Sequence, residues 1–246
     1  MAFATCEWGE DSVWTWGASV AQQFRVTNDH LPLWSWPGQG TSDIIEIMAV
    51  SAASCVCMKV WHLFYVKHEI LALECTQNPA ISGSSVEYGY ADADFLMTGL
   101  ILTNTESETE FAMWALWGGP LIVSTDVRNM SAWKQALLTN TDILAINQDA
   151  LLRPGYRVRA DNVSGTQLWA KHLDGGDVAV VLYNKNDSGT RDIAVSWTEV
   201  GWPASSAVRV YDVWSHSVVS PSAVGNATAL AVPPHGHRMW RLHLAT

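Results

Sequence analysis

The stretch FRVTNDHLPLW at 24–34 puts Arg25 four residues before Asp29. An aspartate in such a place serves as a helix cap, as the ion-pair partner of the arginine, or as a catalytic acid. A carboxyl that gives and retakes a proton during a reaction works with a second group. Other acids with a pointed setting are therefore the next residues of interest. Glu7 stands in Cys6-Glu7-Trp8-Gly9, and Asp92 and Asp94 stand in DADFLM.

These acids must be held by elements that end beside one another. AFAT (2–5) and FRVT (24–27) read as short apolar strands, and each runs into one of the acids. DADFLMTG (92–99) reads as a short strand and loop, and PLIVSTD (120–126) as a buried strand ending in a polar turn. Between them lie helical patterns. TSDIIEIMA (41–49) has a Thr or Ser cap, an early acid and apolar residues at helical spacing. SETEFAMWALWGGP (107–120) carries Glu106, Glu108 and Glu110 at its positive end, an apolar face of Phe111, Trp114, Ala115 and Leu116, and a Gly-Gly-Pro stop. SAWKQALLTN (131–140) and TDILAINQD (141–149) predict two further short helices. Alternating short strands and helices imply a parallel α/β sheet or barrel. Glu7, Asp29, Asp92, Asp94 and Asp126 all fall just past strand ends, which in a (β/α)8 barrel is the catalytic face.

From about 155 the pattern changes. YRVRA, TQLWAKHL, DVAVVLYN, RDIAVSW, SAVRVYDVW, TALAVPP and HRMWRLHL are strand-like runs separated by turns such as DGGD and KNDSG. That rhythm predicts an all-β sandwich, with the boundary near Pro154-Gly155. His235-Gly-His237, just before the last run, reads as surface.

Composition narrows the partners. With 48% hydrophobic and 15% charged residues the chain is globular. A net charge of -10 repels phosphate backbones, which argues against nucleic acid. The longest central stretch without charge, IMAVSAASCVCM (47–58), is too short to span a bilayer, so no membrane partner is expected. Fourteen tryptophans are a large number; most belong in a core, although an indole also stacks on sugar rings. Sequons at Asn129, Asn162, Asn186 and Asn226 fit a secreted protein. Four cysteines do not make a disulfide scaffold at this length. Cys55-x-Cys57 with His62, His68 and Cys75 can be drawn as a zinc site, but the spacing matches no common finger, and no metal is assigned.

Cys6-Glu7-Trp8-Gly9, Arg25-x-x-x-Asp29, DADFLM and ILAINQD, in that order, resemble glycoside hydrolase family 27, the α-galactosidases and α-N-acetylgalactosaminidases. The likeness covers roughly 1–49 and 85–246. It implies the C-terminal half of a (β/α)8 TIM barrel over 1–154, followed by an antiparallel β-sandwich over 155–246. It implies no cofactor, an α-galactoside carbohydrate as substrate, and a secreted, vacuolar or lysosomal protein. By the resemblance Asp29 is the acid/base carboxyl after the sixth barrel strand. Arg25 holds sugar hydroxyls beside it. Glu7 and Trp8 belong to the loop that reads the sugar's 2-position, where a carboxylate favours galactose and a small residue admits an acetamido group. Asp94 lies at the floor of the pocket, with Ala93 in place of the usual proline. For Asp92 and Asp94 a purely loop-holding role stays open.

Retaining glycosidases use two carboxyls about 5–5.5 Å apart, one as nucleophile and one as acid/base. The family's nucleophile sits in a K-x-D-x-C motif upstream of the acid/base, and the chain holds no such motif. The chain opens MAFATCEWGE, without a basic or long apolar leader, and its first strand corresponds to the family's fifth. The expectation is a truncated or mispredicted gene product whose first four strands are missing and which does not turn over substrate alone. Residues 50–80, of odd composition, are expected to be an insertion. The alternatives are an α-N-acetylgalactosaminidase and an inactive sugar-binding or non-functional fragment.

Overall fold

The computed structural model describes residues 4–53 and 90–245. Most of the expected insertion at 50–80, and the Cys55, Cys57, His62, His68 and Cys75 group, lie outside them.

Three short strands run parallel in the order β1 (Ala4–Thr5), β2 (Gln23–Arg25), β3 (Tyr90–Asp92). Their register pairs Thr5 with Phe24 and Arg25 with Asp92. A parallel neighbour requires a crossover, and α1 (Thr41–Ala53) falls between β2 and β3 in the chain. Beyond β3 the same direction continues as one parallel bridge, Leu96 to Val123. The expected buried strand at 120–126 is therefore reduced to a single bridge, with Ile122 41% exposed. Pro120 offers no N–H where that run begins, and among the described residues the run is paired on one side only.

α2 (Asn104–Trp117) starts three residues earlier than its pattern implied. Thr103 caps it: its hydroxyl accepts from Glu106 N, while the Glu106 carboxylate accepts from Thr103 N at 2.8 Å. Gly118 ends it at φ 78°, a left-handed angle that costs glycine nothing. The helix is not one-faced: every residue from Thr109 to Trp117 is buried. A helix covered all round has walls on both sides. Here Phe111, Trp114 and Trp117 share a core with Phe24 and Leu96 of the parallel sheet, and with Trp169, Val181, Tyr183 and Met239 of the C-terminal sheet. α3 (Ala132–Leu138) and α4 (Thr141–Asn147) follow, capped by Ser131 and Asn140. No helix among the described residues is long and apolar enough to cross a membrane.

The C-terminal strands are β4 (Tyr156–Asp161), β5 (Thr166–His172), β6 (Val178–Asn184), β7 (Arg191–Ser196), β8 (Ala207–Asp212), β9 (Ser217–Val224), β10 (Asn226–Val232) and β11 (His237–Leu244). Six form an antiparallel sheet, β4-β5-β6-β11-β8-β9, and β10-β7 cover one face. Leu168, Val180, Leu182, Val195, Trp197, Val210 and Trp240 fill the space between the sheets. The opposite face receives α2 and α4, so β6 is buried along its whole length. β9 did not stand out in the sequence because it is an edge strand: mostly exposed, serine-rich and carrying Pro221.

His237 is not a surface residue, and His235 is only partly exposed. His237 is 5% exposed. Trp214 Nε1 donates to its Nε2 at 2.8 Å, so the ring proton sits on Nδ1, 3.0 Å from the Thr109 hydroxyl of α2. Burial, with Arg238 nearby, lowers its pKa to about 3. His235 stacks on Trp34 and places its two ring nitrogens 2.9 Å from Glu106 and from Asp187. The turn before β11 thus fastens the sheet to the start of α2.

Candidate active site

Three of the acids singled out in the sequence, Asp29, Asp92 and Asp94, meet at the carboxyl ends of β2 and β3, whereas Asp126 pairs with Arg128 instead. Arg25, the last residue of β2, is the hub. Its Nη1 and Nη2 each lie 2.7 Å from an oxygen of Asp94, its Nη1 is 3.3 Å from Asp29, and its Nε is 3.4 Å from Asp92. The fork matches a carboxylate in bidentate fashion, which makes the Asp94 pair the strong one. With one guanidinium among three carboxylates, the cluster is formally negative.

Asp94 sits at φ 75°, a strained angle that aspartate tolerates better than most residues. Its surroundings hold it there. Its carboxylate also accepts from His30 N and Phe95 N, both at 2.7 Å, and Trp114 Nε1 donates to its carbonyl at 2.8 Å. Asp92 accepts from Asp94 N at 2.8 Å. Asp94 is 8% exposed and fully partnered. Of the two roles left open for it, this geometry supports the anchor of Arg25 and its loop over an open sugar contact.

Asp29 differs. Its side chain is 62% exposed, and among the described residues it pairs with Arg25 alone. The carboxyl projects past the end of β2, free to meet a ligand. Glu7 and Trp8 lie on the next loop, which Gly9 N ties to Arg25 O at 3.3 Å. Trp8 is 46% exposed. The Glu7 carboxylate has no hydrogen bond among the described residues. A small recess is lined by Asp92, Asp94, Trp114, Trp117 and Pro120, and neither Asp29 nor Glu7 forms part of its wall.

Behind the cluster stand residues the sequence did not single out. His30, 2% exposed, places Nδ1 2.9 Å from Phe95 O and Nε2 3.0 Å from Thr41 Oγ1, and stacks on Trp114. Burial lowers its pKa, outweighing the Phe95 hydrogen bond. Glu110 was expected as an acid at a helix start. It is instead wholly buried, accepting from Met97 N at 2.6 Å and paired with Thr98 Oγ1, and burial raises its pKa to about 8. Seven residues into α2, it points at the loop after β3 and not at solvent. The adjacency of His30 to Asp29 was the signal available for the first. Nothing in the spacing marked the second.

Two family models match the chain: α-galactosidase A over residues 53–149, and the α-galactosidase C-terminal β-sandwich domain over 163–242. The α-galactosidase of Oryza sativa subsp. japonica is 32% identical over 98% of this chain and 48% of its own length. A probable α-galactosidase of Dictyostelium discoideum is 28% identical over 96% of this chain and 52% of its own. The chain therefore spans about half the length of the curated relatives it matches. Among solved structures, α-galactosidase I from Mortierella vinacea superposes with a TM-score of 0.80 at 21% identity, over the whole chain and 59% of its own. The α-galactosidase of Saccharomyces cerevisiae with raffinose gives 0.75, also at 21%, over the whole chain and 64% of its own. At that identity the structures speak for the fold, a partial barrel followed by a β-sandwich. The two model matches, which together take in most of the sequence, and the likeness to the rice relative place the chain in glycoside hydrolase family 27, the family of the α-galactosidases.

Proposed function

We propose that this chain carries the acid/base side of a retaining α-galactosidase site. The observation that carries the reading is the Arg25 hub, which presents Asp29 at the carboxyl end of a parallel strand, with the Glu7 loop tied to the same residue through Gly9 N. Asp29 protonates the leaving glycosidic oxygen and then takes the proton of the attacking water. The excess negative charge around Arg25 favours the cationic character that builds on the sugar in an oxocarbenium-like transition state. Glu7 accepts a hydrogen bond from the sugar's 2-hydroxyl, so galactose is preferred to N-acetylgalactosamine, whose acetamido group would meet that carboxylate.

Retention also needs a nucleophilic carboxylate about 5–5.5 Å from the acid/base. Asp92 and Asp94 do not fit that role, since both are occupied by Arg25 and backbone N–H groups. The described residues alone thus support sugar recognition and proton transfer, and not the covalent step. Titrating the chain with the two sugars tests the recognition. Galactose should bind in preference to N-acetylgalactosamine, and Glu7→Ser should narrow or reverse the order. Equal binding of both sugars by the unaltered chain would remove the role given to Glu7.

A further inference from the structure

Asp29 has little holding it. Its side chain is mostly in solvent, and an exposed ion pair at 3.3 Å fixes a carboxylate only weakly. The direction in which it points is therefore set by its backbone, and the next residue controls that backbone. The side chain of His30 is 0% exposed, and the residue is held from four directions, its main chain included. Its main-chain N–H donates to Asp94 at 2.7 Å. Nδ1 faces the Phe95 carbonyl at 2.9 Å, with the Glu110 carboxyl 3.7 Å away, so it carries the proton, and the bare Nε2 accepts from the Thr41 hydroxyl at the start of α1. One ring face lies on Trp114 at 5.1 Å and 24°, and the same indole donates to Asp94 O. A buried ring with one tautomer and both nitrogens used has one orientation available.

We propose that His30 is the positioning residue of Asp29: its ring, locked between the loop after β3 and the start of α1, fixes the backbone from which the Asp29 carboxyl projects. The role extends the galactosidase reading by naming what aims its acid/base group, yet the geometry can be tested apart from that reading. Trp114 completes the post, because it touches the ring and the Asp94 carbonyl together.

The test uses the full chain with carbon-13 in its aspartate carboxyls, read by NMR with and without galactose. His30→Leu keeps the bulk against Trp114 and loses both ring bonds. It should move the Asp29 carboxyl signal and weaken galactose binding about tenfold, the cost of one positioned hydrogen bond. His30→Asn, whose amide replaces the Nδ1 donor, should restore much of both. Thr41→Val, a milder change that removes the Nε2 partner and a long 3.5 Å contact with Leu33 O, should shift the signal in the same direction and guards against a leucine variant that fails to fold. An unmoved Asp29 signal in folded His30→Leu or Thr41→Val overturns the proposal. If the Asp29 signal responds while the unaltered chain ignores galactose, the positioning role stands and the galactoside reading falls.

Discussion

At the scale of single residues, the chain separates an exposed acid from the groups that hold its loop. Asp29 is open and Glu7 half-buried, while Arg25, Asp94, His30 and Glu110 are closed. Glu110 gives the clearest prediction. Burial raises its pKa from 4.5 to about 8. The folded chain keeps a proton that the unfolded chain releases above 4.5. The site's support for the fold is therefore complete below about pH 4.5 and is lost as pH rises to about 8. Glu110→Gln has the shape of the protonated acid and does not ionise. It should match the unaltered chain near pH 4.5 and exceed it by a few kcal/mol near pH 8. Urea denaturation at the two pH values measures this, and equal midpoints at pH 8 would contradict it. His237 has the opposite sign. Its folded value of about 3 lies below the ordinary 6.5, so its contribution is intact above pH 6.5 and is lost as pH falls towards 3. His237→Gln should weaken the chain at pH 7, where it disturbs the Trp214 and Thr109 bonds, and flatten the acid limb of its stability profile. An acid limb as steep as before would point to other groups.

At the scale of elements, the periodic segments were legible and their surroundings were not. TSDIIEIMA and SETEFAMWALWGGP announce helices through caps and spacing, and the observed α1 and α2 contain or overlap them. The sequence of α2 read as one-faced because Ser107, Thr109 and Glu110 are polar. Each of the three is buried with a partner outside the helix: Ser107 with Gly99 N, Thr109 with His235 O, Glu110 with the 97–98 loop. Pattern reading treats polarity as exposure and cannot foresee a partner remote in sequence. The same reason hid His30 and the two histidines before β11. The acids at strand ends were legible because they follow short apolar runs, and motif order gave them roles. Their division into open and anchored groups needed Arg25 in three dimensions. The Thr103 cap offers a check at this scale. Thr103→Ala removes the hydroxyl that receives Glu106 N and should cost about 1 kcal/mol in denaturant. No change would mean that tertiary packing alone fixes the start of α2.

At the scale of the whole molecule, the two halves of the chain share one core. α2 lies between the parallel strands and the six-stranded sheet, and Lys171 of β5 reaches the last carbonyls of α4, Ile146 O at 2.7 Å and Asn147 O at 3.3 Å. Burial lowers the pKa of that lysine to about 8, against the pull of Asp149. Segments joined by so much buried surface should unfold together, and calorimetry should show one transition; two well-separated transitions would mean that the shared core contributes little. Under the proposed reading the same arrangement presents Asp29 as the acid/base carboxyl, while Asp92 and Asp94 are engaged by Arg25. The most direct test is to place this chain after the first half of the rice relative in one polypeptide and measure hydrolysis of a nitrophenyl α-galactoside. The account predicts turnover by the joined protein, none by this chain alone, and a loss of about 100-fold or more on Asp29→Asn. A folded, joined protein whose turnover is indifferent to Asp29→Asn would contradict it.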